Sequence, residues 1–249
     1  MDLRERSAGA ASRHPWELVR ADFFERLLAE HRLLSASTWL DVGAGDAWFA
    51  TDLRRHLEPD AKITCWDINY APEDVGAMDT ADGRIELAAV RPTTRFSRIL
   101  LLDVIEHVED DATFLTEVVS DLLEPDGRVL ISVPAYQSLF TTHDAALGHF
   151  RRYTPSQLGA VAARAGLRVD AAGGLFASLL GARSLTKIKE RVSSARPEWT
   201  GIGGWSGGPI VTRATVAALS ADAALARMAA RHTHRFPGLS CWVLCSRDA

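Results

Sequence analysis

The segment Thr38 to Ala50, TWLDVGAGDAWFA, places the tightest constraint on what this chain can fold into. An apolar run stops at an aspartate, two glycines follow with one residue between them, and a second apolar segment begins. A strand that feeds a glycine turn and then a helix is the opening unit of a parallel, helix-covered sheet, and such a turn is a ligand site. The side chains around the turn narrow the ligand. A dinucleotide fingerprint has a third glycine three residues after the second, for close helix packing, and that position here is Trp48. Asp41 is equally unsuited to a pyrophosphate, because a carboxylate beside an anion is repulsive, whereas it suits a cation.

The same alternation continues along the chain. Strands are expected at 38–43, 62–66, 84–90, 98–102, 128–133, from 167 to 170, and at 239–245. Helices are expected at 15–33, 47–57, 111–123, 157–165 and 173–196, and again from the glycine-rich loop 201–209 to about residue 231. RILLL (98–102) and RVLISV (128–133) lack the polar alternation of a half-exposed strand, so both faces should be covered. The expected fold is α/β: a Rossmann-like, doubly wound, mostly parallel seven-stranded sheet with helices on both faces. No linker divides the chain, so one domain over 1–249 is expected. The N-terminal helix 15–33 and an insertion over about 171–236 should cap the site at the C-terminal ends of the strands.

Composition excludes several classes. The formal net charge is −4, with no basic cluster of the kind that tracks nucleic acid. Three cysteines, Cys65, Cys241 and Cys245, make neither a disulfide framework nor a zinc pattern. The N-terminal stretch lacks an apolar signal core, and the run Gly173 to Gly181 is too short to span a bilayer. A cytoplasmic chain with no transmembrane segment is the expectation.

Four stretches, DVGAGDA, CWDIN, LLLDVIEHVEDD and LLEPDGRVLISVP, occur in the order and spacing of the successive motifs of class I S-adenosylmethionine-dependent methyltransferases, which the region from about 38 to 170 resembles. S-adenosylmethionine carries a sulfonium and an ammonium, and both suit an acidic turn. The resemblance implies that Asp41, Gly43 and Gly45 hold the methionine part and that Asp67 accepts the ribose hydroxyls. Ile68 would pack beside the adenine, and Asp103 and Val104 would line the methionine end. S-adenosylhomocysteine would be the product. The chain departs from the family in two places: Ala47 replaces a third glycine, and Val90-Arg91-Pro92 stands where an acidic residue often meets the adenine amine.

Methyl transfer from a sulfonium is an in-line displacement that needs alignment and often a base. It requires no metal in principle, and none is assigned. The stretch Tyr136 to Tyr153, YQSLFTTHDAALGHFRRY, follows the fifth strand and so lies at the ligand-binding end of the sheet. Its pattern HDxxxxGHxRRY is similar to a bacterial subset that modifies small molecules, quinones, sugars or lipids. Three readings stay open. His143 or His149 is the general base, oriented by Asp144. Alternatively these side chains lock the loop to the body, or His143, Asp144 and His149 hold a divalent metal. Tyr136, Arg151, Arg152 and Tyr153 are candidate substrate contacts. His107 either sits near the cofactor or fixes a loop. Trp16 and Arg20 either close the pocket or belong to ordinary packing, and Trp199 and Trp205 either form an aromatic lid or flank a surface loop. The partner expected is a small-molecule substrate, with no nucleic acid and with a homodimer allowed. Two competing functions are carried: a non-catalytic cofactor- or partner-binding protein of the same fold, and a nicotinamide-dependent oxidoreductase, which Asp41 and Trp48 disfavour.

Overall fold

The computed structural model describes residues 13–78, 84–192, 205–232 and 236–247. Its strands are β1 (Thr38–Val42), β2 (Lys62–Trp66), β3 (Gly76–Ala77), β4 (Ile85–Ala88), β5 (Phe96–Leu102), β6 (Leu123–Pro134), β7 (Leu167–Leu175) and β8 (Ser240–Arg247). They form one sheet in the order β3-β4-β2-β1-β5-β6-β8-β7. β1 lies at the centre, parallel to β2 and β5, and the parallel pairing extends to β4 on one side and β6 on the other. β3 and β8 run against their neighbours. Seven strands were expected, and the eighth is the two-residue β3, too short to leave an alternating signature.

The helices are α1 (Pro15–Glu30), α2 (Trp48–Arg54), α3 (Asp111–Leu122), α4 (Thr142–Ala146), α5 (Pro155–Arg164), α6 (Leu179–Val192) and α7 (Pro209–Ala230). Two apolar layers flank the sheet. Phe23, Phe24 and Leu28 of α1, Leu53 of α2 and Leu219 and Ala223 of α7 pack with Trp39 and Trp242 on one face. Leu115 and Val118 of α3 and Leu158 and Val161 of α5 pack with Leu101, Ile131 and Val243 on the other. That double coverage explains the unbroken apolar runs of β5 and β6. Phe23 and Phe24 are core residues, each fully buried. α1 begins with a capping box, His14 with Glu17, and a proline at its first position.

The C-terminal half differs from expectation at β7. The run from Gly173 was expected to be helical, but the strand continues to Leu175 and the helix starts only at Leu179. The glycines explain why a strand fits there. A Cβ on Gly173 would lie 3.0 Å from the Trp242 ring, and one on Gly174 would lie 2.4 Å from the Phe236 carbonyl oxygen. The missing side chains let neighbouring groups close onto the strand, a use of glycine that an apolar pattern does not reveal. α7, expected as part of a cap, packs with α1 over the sheet, and Asp222 holds it to the start of α6 by accepting the Ser178 amide at 2.8 Å.

The parallel strands β1, β2, β5 and β6 all end at one edge. There they deliver Gly43, Asp67, Asp103 and Pro134 side by side.

Gly174→Ala should lower stability by about 1–3 kcal/mol, the usual effect of overpacking a tight site. Urea unfolding checks this; an unchanged midpoint would show that the strand edge can relax around a methyl group.

Candidate functional site

A cavity of about 470 Å³ opens at that strand edge. Its outer half is walled by Val42, Gly43, Asp67, Ile68, Asn69, Asp103 and Val104, and its inner half by Glu106, His107, His143, His149, Leu179 and Arg183.

The outer half is built around the glycine turn. Gly43 and Gly45 have φ of +63° and +57°, a region open to glycine and disfavoured for other residues. At Gly43 a side chain is excluded twice over, because a Cβ would sit 2.9 Å from Cγ2 of Val104. Ala47 also adopts positive φ, 55°, as the residue leading into α2, so alanine occupies a conformation that favours glycine. Asp67 ties the turn to β2. One carboxylate oxygen accepts the Gly45 N–H at 2.9 Å, and the other accepts the backbone and side-chain N–H groups of Asn69 at 2.8 and 2.9 Å. Three of roughly four acceptor positions of a carboxylate are thus used. Asp41 is 4% exposed and stands behind the cavity wall. Burial pushes its carboxyl up to about 7, with the nearby Asp67 and Asp46 adding to the effect.

α1 lies across the mouth. Arg20 pairs with Asp103 and stacks on Trp16, 4.8 Å from the ring centroid, and both side chains line the cavity. Arg13 pairs with Asp46 and lies 4.6 Å over Trp48. Arg13 thus ties the start of α1 to the glycine turn, and Arg20 ties the helix to the loop after β5. Trp205 stands edge-on to His14, 4.9 Å between centroids, and is anchored to Thr212. Trp199 lies outside the described residues.

The inner half is organised by one carboxylate. Asp144 is fully buried. One of its oxygens accepts Nε and Nη2 of Arg152 at 2.8 and 2.7 Å and meets His149 Nδ1 at 3.2 Å. The other accepts Arg183 Nη2 at 2.7 Å, the Thr141 amide at 2.8 Å and the Thr141 hydroxyl at 3.1 Å. Burial alone would push this carboxyl up, but the hydrogen bonds from His149 and Arg152 and the charge of Arg152 outweigh it and hold it far below the ordinary carboxylate range. The Asp144 network joins α4, the connection from α4 to α5, and α6. Lys187 adds a bond to the Phe140 carbonyl, and Thr142 a bond to Glu190 at 3.0 Å.

His143, Asp144, His149 and Arg152 all reach the cavity. Tyr136, Arg151 and Tyr153 do not. Tyr136 is partly buried against the layer of α3 and α5. Arg151 pairs with Asp111 at 3.1 Å and donates to the Glu109 carbonyl. The Tyr153 hydroxyl meets the Asp111 carboxylate at 2.7 Å. Arg152 touches the cavity, yet its guanidinium is spent on Asp144 and on the Ala135 carbonyl at 3.1 Å. The locking arrangement weighed from the sequence thus describes most of HDxxxxGHxRRY. A metal held by His143, Asp144 and His149 does not fit, because both Asp144 oxygens already face several donors. His143 has its basicity lowered, first by burial and then by the Arg183 charge.

Two site residues escaped the sequence reading. Glu106 is fully buried at the cavity wall, and burial, with Asp103 nearby, raises its carboxyl well above the ordinary range. Its signal was an acid inside the apolar stretch DVIEHV. Arg183 lies on α6, where the sequence showed only helical spacing.

The family model described as "Methyltransferase domain" matches residues 13–172. No curated protein matches the chain. Several solved structures share the fold. A Galdieria sulphuraria protein proposed to be a sarcosine dimethylglycine methyltransferase aligns with 15% identity and a TM-score of 0.56, over 93% of this chain and 86% of that one. The plantazolicin methyltransferase BpumL, solved with a monoazolic desmethylPZN analog and SAH, aligns with 12% identity and a TM-score of 0.52, over 94% and 85%. A Haloferax volcanii candidate methyltransferase, solved with the Trm112 methyltransferase activator, aligns with 16% identity and a TM-score of 0.51, over 93% and 94%.

Asp144→Ala would leave the Arg152 and Arg183 charges without their partner and should cost about 3–5 kcal/mol of stability. The contribution of Asp144 is fully present above about pH 4 and fades as pH falls below it, because the folded-state carboxyl titrates lower than the unfolded one. Chemical denaturation near neutral pH reads the loss; a change under about 1 kcal/mol would show that the network is not load-sharing in this way.

Proposed function

The chain belongs to the methyltransferase domain family, and from that premise we propose that it moves a methyl group from S-adenosylmethionine to a small-molecule acceptor in the inner half of the cavity. The observation that carries the proposal is the continuity of the two halves. An acidic, glycine-floored outer chamber opens directly into one lined by imidazoles and apolar side chains.

The residues present fit the cofactor. Gly43 lines the cavity with no side chain of its own, and Asp67 keeps acceptor capacity at a strand end for a ribose hydroxyl. Asp103 and Asp67 make the wall acidic, as a cationic ligand requires. When bound, S-adenosylmethionine supplies an electrophilic methyl group on a sulfonium. The protein's own part is alignment and proton removal. Arg20, now paired with Asp103 at the mouth, is placed to receive the methionine carboxylate. Ile68, 78% exposed beside Asp67, offers an apolar surface to the adenine. Gly45 serves from behind the wall through its bond to Asp67, and Val104 packs under the turn.

His143 is the candidate base, since its lowered pKa keeps it neutral and able to accept a proton near pH 7. His149 is held by Asp144 through Nδ1, which leaves Nε2 as an acceptor at the cavity. Phe114, Leu147, Phe176 and Leu179 complete the inner wall, so the acceptor should present an apolar body with one nucleophilic group. Arg151 and Tyr153 act by shaping the loop. α6 roofs this half and, with α1, forms the cap of a single domain. Among the described residues no helix is long and apolar enough to cross a membrane. A cytoplasmic setting belongs to the same reading and rests on three buried, unpaired thiols.

Two titrations test the cofactor assignment. Asp67→Ala should weaken S-adenosylmethionine binding by about 10- to 100-fold, the loss of one strong hydrogen bond to a charged acceptor; wild-type affinity in calorimetry would remove Asp67 from the ribose. Asp41, buried behind the turn and titrating at about 7, favours a cationic ligand only when ionised. Affinity should therefore rise as pH climbs through about 7, below the range where the ligand's own ammonium titrates. Asp41→Asn should flatten that slope; an identical slope in the variant would assign it to another group.

A further inference from the structure

One cluster in the inner half joins His149 to two groups that the reaction as described does not use, Glu106 and His107. A carboxylate oxygen of Glu106 and one ring nitrogen each of His107 and His149 lie within 4.8 Å of one another. The two rings stand edge-on, 4.5 Å between centroids. All three side chains face the cavity. They come from different segments: the 3-10 turn Ile105–His107 after β5, and the connection between α4 and α5. The connection is pinned to the turn by the Phe150 amide, which donates to the Glu106 carbonyl at 2.8 Å.

Glu106 supplies the independent observation. Its side chain is fully buried, and neither carboxyl oxygen has a hydrogen-bond partner in another of the described residues. An unsatisfied buried carboxyl is destabilising and calls for an explanation. The nearby arginines do not provide it, because Arg20 is engaged by Asp103 and Arg152 by Asp144. His149 is already set as a metal ligand is set: its Nδ1 meets a carboxylate at 3.2 Å, which fixes the tautomer and leaves Nε2 to bind.

We propose that Glu106, His107 and His149 form a site for one divalent first-row transition cation of the zinc type, with open positions facing the cavity. Two imidazoles and one carboxylate, with a position left for water or substrate, make up a common donor set for zinc and its neighbours. Magnesium and calcium prefer oxygen ligands throughout, so they fit less well. An ion bound at about 2.0–2.2 Å would draw the three donor atoms together by about an ångström. The open positions would take a hydroxyl, phenol or amine of the acceptor and hold it beside the cofactor half. That last role rests on the methyl-transfer reading; the metal site itself does not.

The test is a titration of metal-stripped full-length protein with Co²⁺, followed by its visible d–d absorption, with Zn²⁺ as competitor. One equivalent should bind and be displaced by Zn²⁺. Glu106→Gln and His107→Gln should each weaken binding by at least about 10- to 100-fold, the range already seen for loss of an outer-shell partner. His143→Gln should leave it unchanged. Thermal melts accompany each variant, and if Glu106→Gln does not fold, His107→Gln decides. The proposal fails if no stoichiometric Co²⁺ binds, if the folded Glu106 and His107 variants bind as wild type does, or if His143→Gln removes binding. S-adenosylmethionine titration of the metal-free protein reads the cofactor assignment separately, so either claim can fall without the other.

Discussion

The inner half of the cavity depends on the buried carboxylate of Asp144. It gathers Arg152, Arg183, Thr141 and His149 from three stretches of chain that would otherwise have no strong reason to meet. A buried pair of this kind contributes little compared with an apolar contact of similar size, but removing one member leaves stranded charge. Its consequence here is geometric. The loop 136–153 is held against β6, α6 is drawn over the cavity, and the His149 ring is given one orientation. The histidine–aspartate pair that looks like catalytic machinery in the sequence is in large part a brace, and the brace positions the groups that face the inner cavity.

The outer half depends on backbone geometry. Parallel strands that end together bring the turn after β1, Asp67 after β2 and Asp103 after β5 to one edge, the usual ligand position in open α/β sheets. Glycine at positive φ lets the chain reverse under Val104 without collision. α1 then closes the mouth through Arg20, which pairs with Asp103 of the wall and stacks on Trp16, while Arg13, just before the helix, pairs with Asp46 of the glycine turn and lies over Trp48. Arg20 holds an acid that lines the cavity, so ligand entry and the seating of α1 draw on the same group.

Much of the outer half was legible in the sequence. The register of Asp41, Gly43, Gly45 and Asp67 follows from strand ends, and the structure brings Gly43, Asp67, Ile68, Asp103 and Val104 onto one wall as the motif order implied. The inner half was legible as a segment but not residue by residue. HDxxxxGHxRRY showed that polar groups were concentrated at the right edge, but not that Arg151 and Tyr153 turn toward Asp111 while His149 turns inward. Such choices are made by partners distant in sequence, among them Arg183 and Glu106, and no local periodicity encodes them. The extended β7 was hidden for a related reason: the run from Gly173 carries no strand alternation, and only the closeness of Trp242 and Phe236 shows why glycine is there.

The central claim is that one continuous cavity holds the methyl donor in its outer half and aims it at the imidazole-lined inner half. A crystal structure of the protein with S-adenosylhomocysteine tests this most directly. The account predicts the ribose on Asp67, the adenine over Ile68, and the sulfur near Val104 facing the chamber of His143 and His149. Density for the ligand elsewhere, or with its sulfur turned away from that chamber, would contradict it.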